Sequence, residues 1–198
     1  MSRILSRCWI GAFVLMMAAA PVHSHASSFG SEIIVSVADQ ELALLSRGKV
    51  VARYPISTSK FGIGDQPGSY RTPLGVMYVS SKVGDGLPSG AVIKSRMATG
   101  EVLAPNAPGR DPIVSRVLWL RGKESQNANA RDRCIYIHGT AEESRIGKRA
   151  SFGCVRMRSK DVIALYSRVH IGTQVTISDK RIAALLPEEE PTLLARQD

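Results

Sequence analysis

A single stripe of helical period runs through this chain: Val162, Leu165, Tyr166 and Val169, with Ser159 placed to cap its start and Gly172 its end. The remaining apolar residues come in short runs of strand type. Ile33-Ile34-Val35-Ser36-Val37, Glu41 to Ser46 and Lys49 to Ile56 read as strands, with Arg47-Gly48 as a tight turn between the second and third. Val76 to Ser80, Arg116 to Leu120, Arg133 to His138 and Thr173 to Ser178 follow, the last with Val175 and Ile177 inward. One helix among so many strands predicts a mainly β fold. Residues 57 to 70 are rich in Gly, Ser, Lys and Asp and read as a loop. Residues 84 to 112 are rich in Pro and Gly and read as a long excursion, a length usually reserved for functional or disordered segments. No internal repeat is present.

The 198 residues suffice for one ordinary domain, and the first of them do not belong to it. Arg3 and Arg7 precede an uncharged apolar run, Cys8 to Ala20, and Ser24-His25-Ala26 offers small residues at positions −3 and −1 of a cleavage site. This pattern predicts a secretory signal peptide over residues 1–26. The rival reading, a membrane anchor, asks for ~20 apolar residues, more than this run supplies. Cys8 lacks the small-residue context of a lipoprotein site. The predicted organisation is therefore a signal peptide, a domain over residues 31–180, and a loosely held tail, 181–198, carrying Pro187-Glu188-Glu189-Glu190-Pro191. The expected location is the periplasm, associated with the cell envelope, with no stable membrane span after cleavage.

Cleavage after Ala26 leaves 172 residues and lowers the formal charge from +9 to +7. A basic exported protein is drawn to polyanions. Nucleic acid fits poorly with export, and no basic stripe interleaved with aromatic residues supports it. The mature chain keeps two cysteines, Cys134 and Cys154, and two histidines, His138 and His170. His170, near the helix end, reads as a C-terminal cation or a packed histidine.

The chemistry concentrates in Ile135-Tyr136-Ile137-His138-Gly139-Thr140 and Ser151-Phe152-Gly153-Cys154-Val155-Arg156-Met157. In the first, strand alternation puts Cys134, Tyr136 and His138 on one face. In the second, a cysteine sits behind a glycine that allows a sharp turn and close approach of a substrate. A nucleophilic cysteine needs a lowered pKa or an adjacent base, and His138 can be that base. Backbone N–H groups at Gly153 and Cys154 are candidate oxyanion donors. Arg156 would share the nucleophile's face and could hold a substrate carboxylate. Ser151 could hydrogen-bond within the turn.

Each feature has a plainer reading. Exported cysteines usually form disulfides, and Cys134 and Cys154 could pair. On a regular strand Cys134 would lie ~13 Å from His138, so Cys154 could not easily sit beside both. Cys134 alone reads as a small buried hydrophobe. Gly139 reads equally as a plain turn and Arg156 as an acid's partner. A zinc site of Cys134, His138 and Cys154 lacks a fourth ligand and the usual CxxC pairing.

At these residues the chain resembles the L,D-transpeptidase family of bacterial cell-wall enzymes, the YkuD or ErfK-like domain. His138-Gly139-Thr140, Ser151-Phe152-Gly153-Cys154-Val155-Arg156 and their interval of sixteen positions carry the resemblance. Ile146-Gly147 fits it as well. Tyr54 to Thr58 and Gly68-Ser69-Tyr70-Arg71-Thr72-Pro73-Leu74-Gly75 look like the family's substrate-side loop and following strand. Phe152 stands where many members have histidine, and the segment from Val83 to Pro112 is unlike the pattern. The resemblance implies a β-sandwich-like catalytic domain with one helix after the nucleophile. It implies Cys154 as nucleophile, His138 as general base and acid, and Gly153 as backbone oxyanion donor. Arg156, Ser151, Gly139, Thr140 and Tyr136 are the candidate substrate contacts. Its substrates would be peptidoglycan stem peptides, with no metal or cofactor, because a thioester preserves acyl reactivity. The alternatives are an L,D-carboxypeptidase that uses water as acceptor and a non-catalytic wall-binding module with a Cys134–Cys154 disulfide. A cysteine protease of caspase type would need a Gln-Ala-Cys context that is missing.

Overall fold

The computed structural model describes residues 30–187; the predicted signal peptide and the tail beyond Pro187 lie outside the described residues. Ten strands form one hydrogen-bonded network. β1 (Ser31–Ser36), β2 (Glu41–Ser46) and β3 (Lys49–Pro55) form an antiparallel meander. β10 (Gln174–Ser178) returns parallel to β1 and pairs on its other side with β4 (Gly75–Val83). β7 (Ile113–Gly122) pairs with β4, with β8 (Tyr136–Thr140) and with β5 (Ala91–Lys94), which carries β6 (Met97–Val102) at the edge. β9 (Val155–Met157) lies parallel to β8 and leads into α1 (Ser159–Tyr166).

The alternation read from the sequence builds the core. Ile33 and Val35, Leu42 and Leu44, Met77 and Val79, Leu118 and Leu120, and Val175 and Ile177 point into one cluster. Ile137, Val155 and Met157 join it from the β8–β9 side, and Val162, Leu165, Tyr166 and Val169 from the helix. The mainly β fold with one helix after the Gly-Cys segment is therefore as expected. β1 is buried on both faces, because Ile34 packs in a second cluster with Ala43 and Leu45. That face is covered by Ile182, with Leu185 and Leu186 against it, and Asp39 accepts the Ile182 N–H at 2.7 Å. So Ile182, Leu185 and Leu186, at the start of the tail expected to be loose, pack on the sheet: the acidic run suggested solvent, but these apolar residues before it cover a face that water would otherwise meet.

Three further differences have physical causes. The 84–112 segment holds the β5–β6 hairpin. Its turn residues Ser95 and Arg96 have φ of +50° and +65°, a geometry that sequence normally signals with Asn-Gly, and every residue of β6 is exposed, so no alternation marks the strand. The first residues of the expected 133–138 strand are a turn instead, with Cys134 at φ +56°. Ser159 is the first helical residue, not the cap; Arg158 takes that position, and Glu143 accepts the Ser159 N–H at 2.8 Å.

Candidate active site

β8 ends in His138-Gly139-Thr140, and the parallel register sets His138 opposite Arg156 on β9. Cys154 lies in the bend just before β9, next to Tyr136, which precedes His138 by two residues and whose N–H the Cys154 Sγ accepts at 3.4 Å. Two residues along and one strand across put the Cys154 and His138 Cα atoms roughly 8 Å apart. The loop before Cys154 is held by the upstream loop. Ser57 exchanges backbone hydrogen bonds with Arg156 at 2.9 and 2.8 Å, Lys60 N–H donates to the Ser151 carbonyl, and Ser151 N–H donates to the Thr58 carbonyl. The Thr72 hydroxyl donates to the Gly153 carbonyl at 3.0 Å. Gly153 has φ +118°, and a Cβ there would come within 3.2 Å of the Arg71 carbonyl oxygen, so the turn in front of Cys154 needs glycine.

The Cys154 thiol is partly buried at the edge of a cluster with Ile93, Val117 and Tyr136. Sγ accepts the Tyr136 N–H at 3.4 Å and donates to the Cys134 carbonyl at 3.4 Å. Burial pushes this thiol up to about 11, against the lowering pull of the Tyr136 N–H and the Arg156 charge. It rests as a thiol. His138 is buried, and burial lowers its pKa to about 4; the Arg156 charge adds to the lowering, while the Gly139 hydrogen bond opposes it. Nδ1 lies 2.8 Å from the Gly139 carbonyl oxygen, which can only accept. Nδ1 therefore carries the proton, and Nε2 of the neutral ring is left as a base. A neutral thiol and a neutral imidazole can pass one proton between them once Sγ and Nε2 meet. For this the thiol must turn from the Cys134 carbonyl.

Most of the remaining candidates take other roles than substrate contact. Arg156 is 7% exposed, with its guanidinium 2.8 Å from Asp111 and 3.4 Å from Glu142; it is bound to acids, not open to a substrate carboxylate. Thr140 is fully buried and donates to Asp111. A Cβ on Gly139 would lie 2.4 Å from the Val114 carbonyl oxygen, so this glycine permits strand contact and orients His138 instead of meeting substrate. The Tyr136 ring packs edge-on against Trp119 at 5.6 Å, and its contribution to the site is its backbone N–H. Ser151, fully buried, does bond within the turn: it donates to the Cys154 carbonyl at 2.6 Å and accepts the Gly153 N–H at 3.2 Å. The Gly153 N–H is thus already engaged, so as an oxyanion donor it must exchange that partner. Cys134 and Cys154 are both free, and Cys134 is exposed, neither a buried hydrophobe nor half of a disulfide.

Sequence reasoning missed Asp111, Glu142 and the Cys134 carbonyl. No local pattern marks Asp111, which lies in the irregular segment before β7. Thr72 stood in a quoted segment but without a role. The Arg156–Asp111 pair gives the first expected result. Arg156→Ala leaves a buried carboxylate uncompensated and should destabilise the fold by ~3–5 kcal/mol in urea unfolding. Arg156→Leu with Asp111→Leu should recover most of that; a single-mutant loss under ~1 kcal/mol would show the pair to be structurally idle.

A thiol just before β9 and a tautomer-fixed imidazole on the parallel β8 make a candidate site for acyl transfer. The chain belongs to the L,D-transpeptidase catalytic domain family, YkuD, whose profile matches residues 30–177. YqjB of Bacillus subtilis (strain 168), which carries an L,D-transpeptidase name, is 29% identical over 168 residues, covering 84% of this chain and 82% of its own. YkuD of the same strain is 30% identical over 147 residues, 74% of this chain and 65% of its own. The solved Ldtfm–avibactam carbamoyl enzyme shares the fold with a TM-score of 0.50 at 20% identity, covering 76% of this chain and 49% of that one. The L,D-transpeptidase of Xylanimonas cellulosilytica DSM 15894 aligns with a TM-score of 0.50 at 21% identity, covering 77% and 62%. The chain thus spans about half to four fifths of the lengths of these relatives.

Proposed function

We propose that this protein is an exported peptidoglycan L,D-transpeptidase that forms a thioester on Cys154 and passes the acyl group to an amine. The observation that carries this reading is the pairing of the Cys154 loop with β8, where the Gly139 carbonyl fixes the His138 ring. Sγ gives its proton to Nε2 of His138 and attacks the carbonyl of the L-centre of a diamino acid in a stem peptide. The Cys154 N–H, and Gly153 once released by Ser151, meet the oxyanion. His138 returns the proton to the departing amine of the terminal D-residue, and the C–N bond breaks. An amine of a second stem then attacks the thioester, loses a proton to His138, and releases the thiol. Water in place of that amine would make the same site an L,D-carboxypeptidase. The leader-like residues 1–26 support export to the periplasm.

Incubation of the mature protein with disaccharide tetrapeptides, followed by mass spectrometry, tests the reading. Loss of the terminal residue with dimer formation supports transfer, loss alone supports hydrolysis, and unchanged substrate counts against both. The thiols give a second expected result. Iodoacetamide should label exposed Cys134 well before Cys154, whose thiol burial holds protonated. A carbapenem, whose strained carbonyl asks for the proton acceptor and oxyanion donors of the site, should add once and on Cys154. Intact mass and peptide mapping check this, and a carbapenem found only on Cys134 would sink the assignment.

A further inference from the structure

Three aromatic rings stand exposed at the lip of the site: Phe61 at 44%, Tyr70 at 57% and Phe152 at 53%. They come from two loops and meet in a triangle, with ring centroids 5.7 to 5.9 Å apart. Their planes are inclined by 40°, 50° and 84°, so they form a cup, not a slab. Lys60 Nζ lies 4.5 Å from the Phe152 ring centre and 5.2 Å from that of Phe61. None of the three rings belongs to a buried cluster. Nor are they needed to hold the two loops together, which the backbone bonds from Ser57, Thr58 and Lys60 and the Thr72–Gly153 bond already do. Tyr70 sits at φ +56°, a left-handed backbone state that is unfavourable for a bulky residue. Its carbonyl accepts the Ser59 hydroxyl, which holds it there. Exposed apolar surface with a polar rim, maintained against strain, marks a contact site.

The cup is continuous with the nucleophile, since Phe152 precedes Cys154 by two residues. Its charge is positive: among the described residues Lys60 makes no ion pair, so its ammonium is available to an incoming carboxylate. We propose that Phe61, Tyr70, Phe152 and Lys60 form a specificity subsite for an anionic residue of the stem peptide beside the scissile bond. Its methylenes lie against the rings, and its carboxylate pairs with Lys60. This rests on the transpeptidase reading and extends it from reaction type to substrate choice.

The test compares wild type with Lys60→Gln, Tyr70→Ala and Tyr70→Phe on three substrates. These are a sugar-free tetrapeptide with free side-chain carboxylates, the same peptide with those carboxylates amidated, and the disaccharide tetrapeptide. Lys60→Gln should raise KM for the acidic peptide about three- to fivefold, leave the amidated peptide unaffected, and spare kcat. Tyr70→Ala should raise KM about tenfold for both sugar-free peptides, and Tyr70→Phe should restore it. Unchanged KM values in both Lys60→Gln and Tyr70→Ala would overturn the proposal while leaving the transpeptidase reading in place. KM changes confined to the disaccharide substrate would assign the cup to the glycan and overturn it likewise. If wild type turns over none of the three substrates and Cys154→Ala binds none of them, the failure belongs to the transpeptidase reading itself.

Discussion

Cys154→Ala is expected to lower kcat by at least ~10⁴ while the protein stays folded. The thiol is the group that the proposed mechanism uses for the acyl intermediate, and no neighbouring side chain can replace its sulfur: Arg156 is held by acids and Tyr136 turns its ring to Trp119. The cost to stability should be small. Sγ accepts one backbone N–H and donates one bond, both at 3.4 Å, so its loss costs ~1 kcal/mol. Circular dichroism and a thermal melt check folding, and product mass spectrometry checks turnover. Cys134→Ala is the control and should keep most activity, because the bond to Sγ comes from its backbone carbonyl. Activity retained above a few per cent in Cys154→Ala would remove the thiol from the mechanism.

His138→Gln is expected to lower the rate by ~10²–10⁴, the usual worth of a general base. The glutamine amide has no basic nitrogen for the Cys154 proton, yet fills much of the ring's volume. The pH dependence follows from the two pKa shifts. The competent imidazole is the neutral one, and with a folded pKa of about 4 it stays neutral well below its ordinary range. The thiol, at about 11, stays protonated up to high pH. Wild-type kcat/KM should therefore be flat from about pH 5 to 9 and fall on the acid side near 4. A limb between pH 6 and 7 would instead indicate an imidazole at its ordinary pKa, not one lowered by burial. The same shift touches stability. The unfolded imidazole takes its proton before the folded one, so stability declines as pH falls from 6.5 to about 4 and the loss is complete below that. The full effect is roughly 3 kcal/mol and should be smaller in His138→Gln.

Much of this was legible in the chain. Ile33, Val35, Leu42, Leu44, Val175 and Ile177 declare their strands because sheet burial repeats every second residue, and Val162, Leu165 and Tyr166 declare a helix by the same logic at its own period. Where burial leaves no alternation, reading failed. β6 is exposed throughout, and Ile182 shows its apolar face only once β1 and β2 are paired beneath it. The cysteine and histidine could be named because their neighbours carry the chemistry: glycine before the thiol for the turn, glycine after the imidazole for strand contact and an accepting carbonyl.

The sequence by itself determined the mainly β class, the candidate thiol and base, and the family they resemble, since those rest on local period and on residues close together in the chain. Tertiary structure alone decided that Arg156 is spent on Asp111 and Glu142, that Ser151 occupies the Gly153 N–H, and that Cys134 offers its carbonyl instead of its sulfur. It also gathered Phe61, Tyr70 and Phe152 around Lys60. Each of those contacts joins residues whose separation in sequence says nothing about their distance in space. Whether a charge or an N–H is free for substrate depends on which partner the packed chain brings to it first.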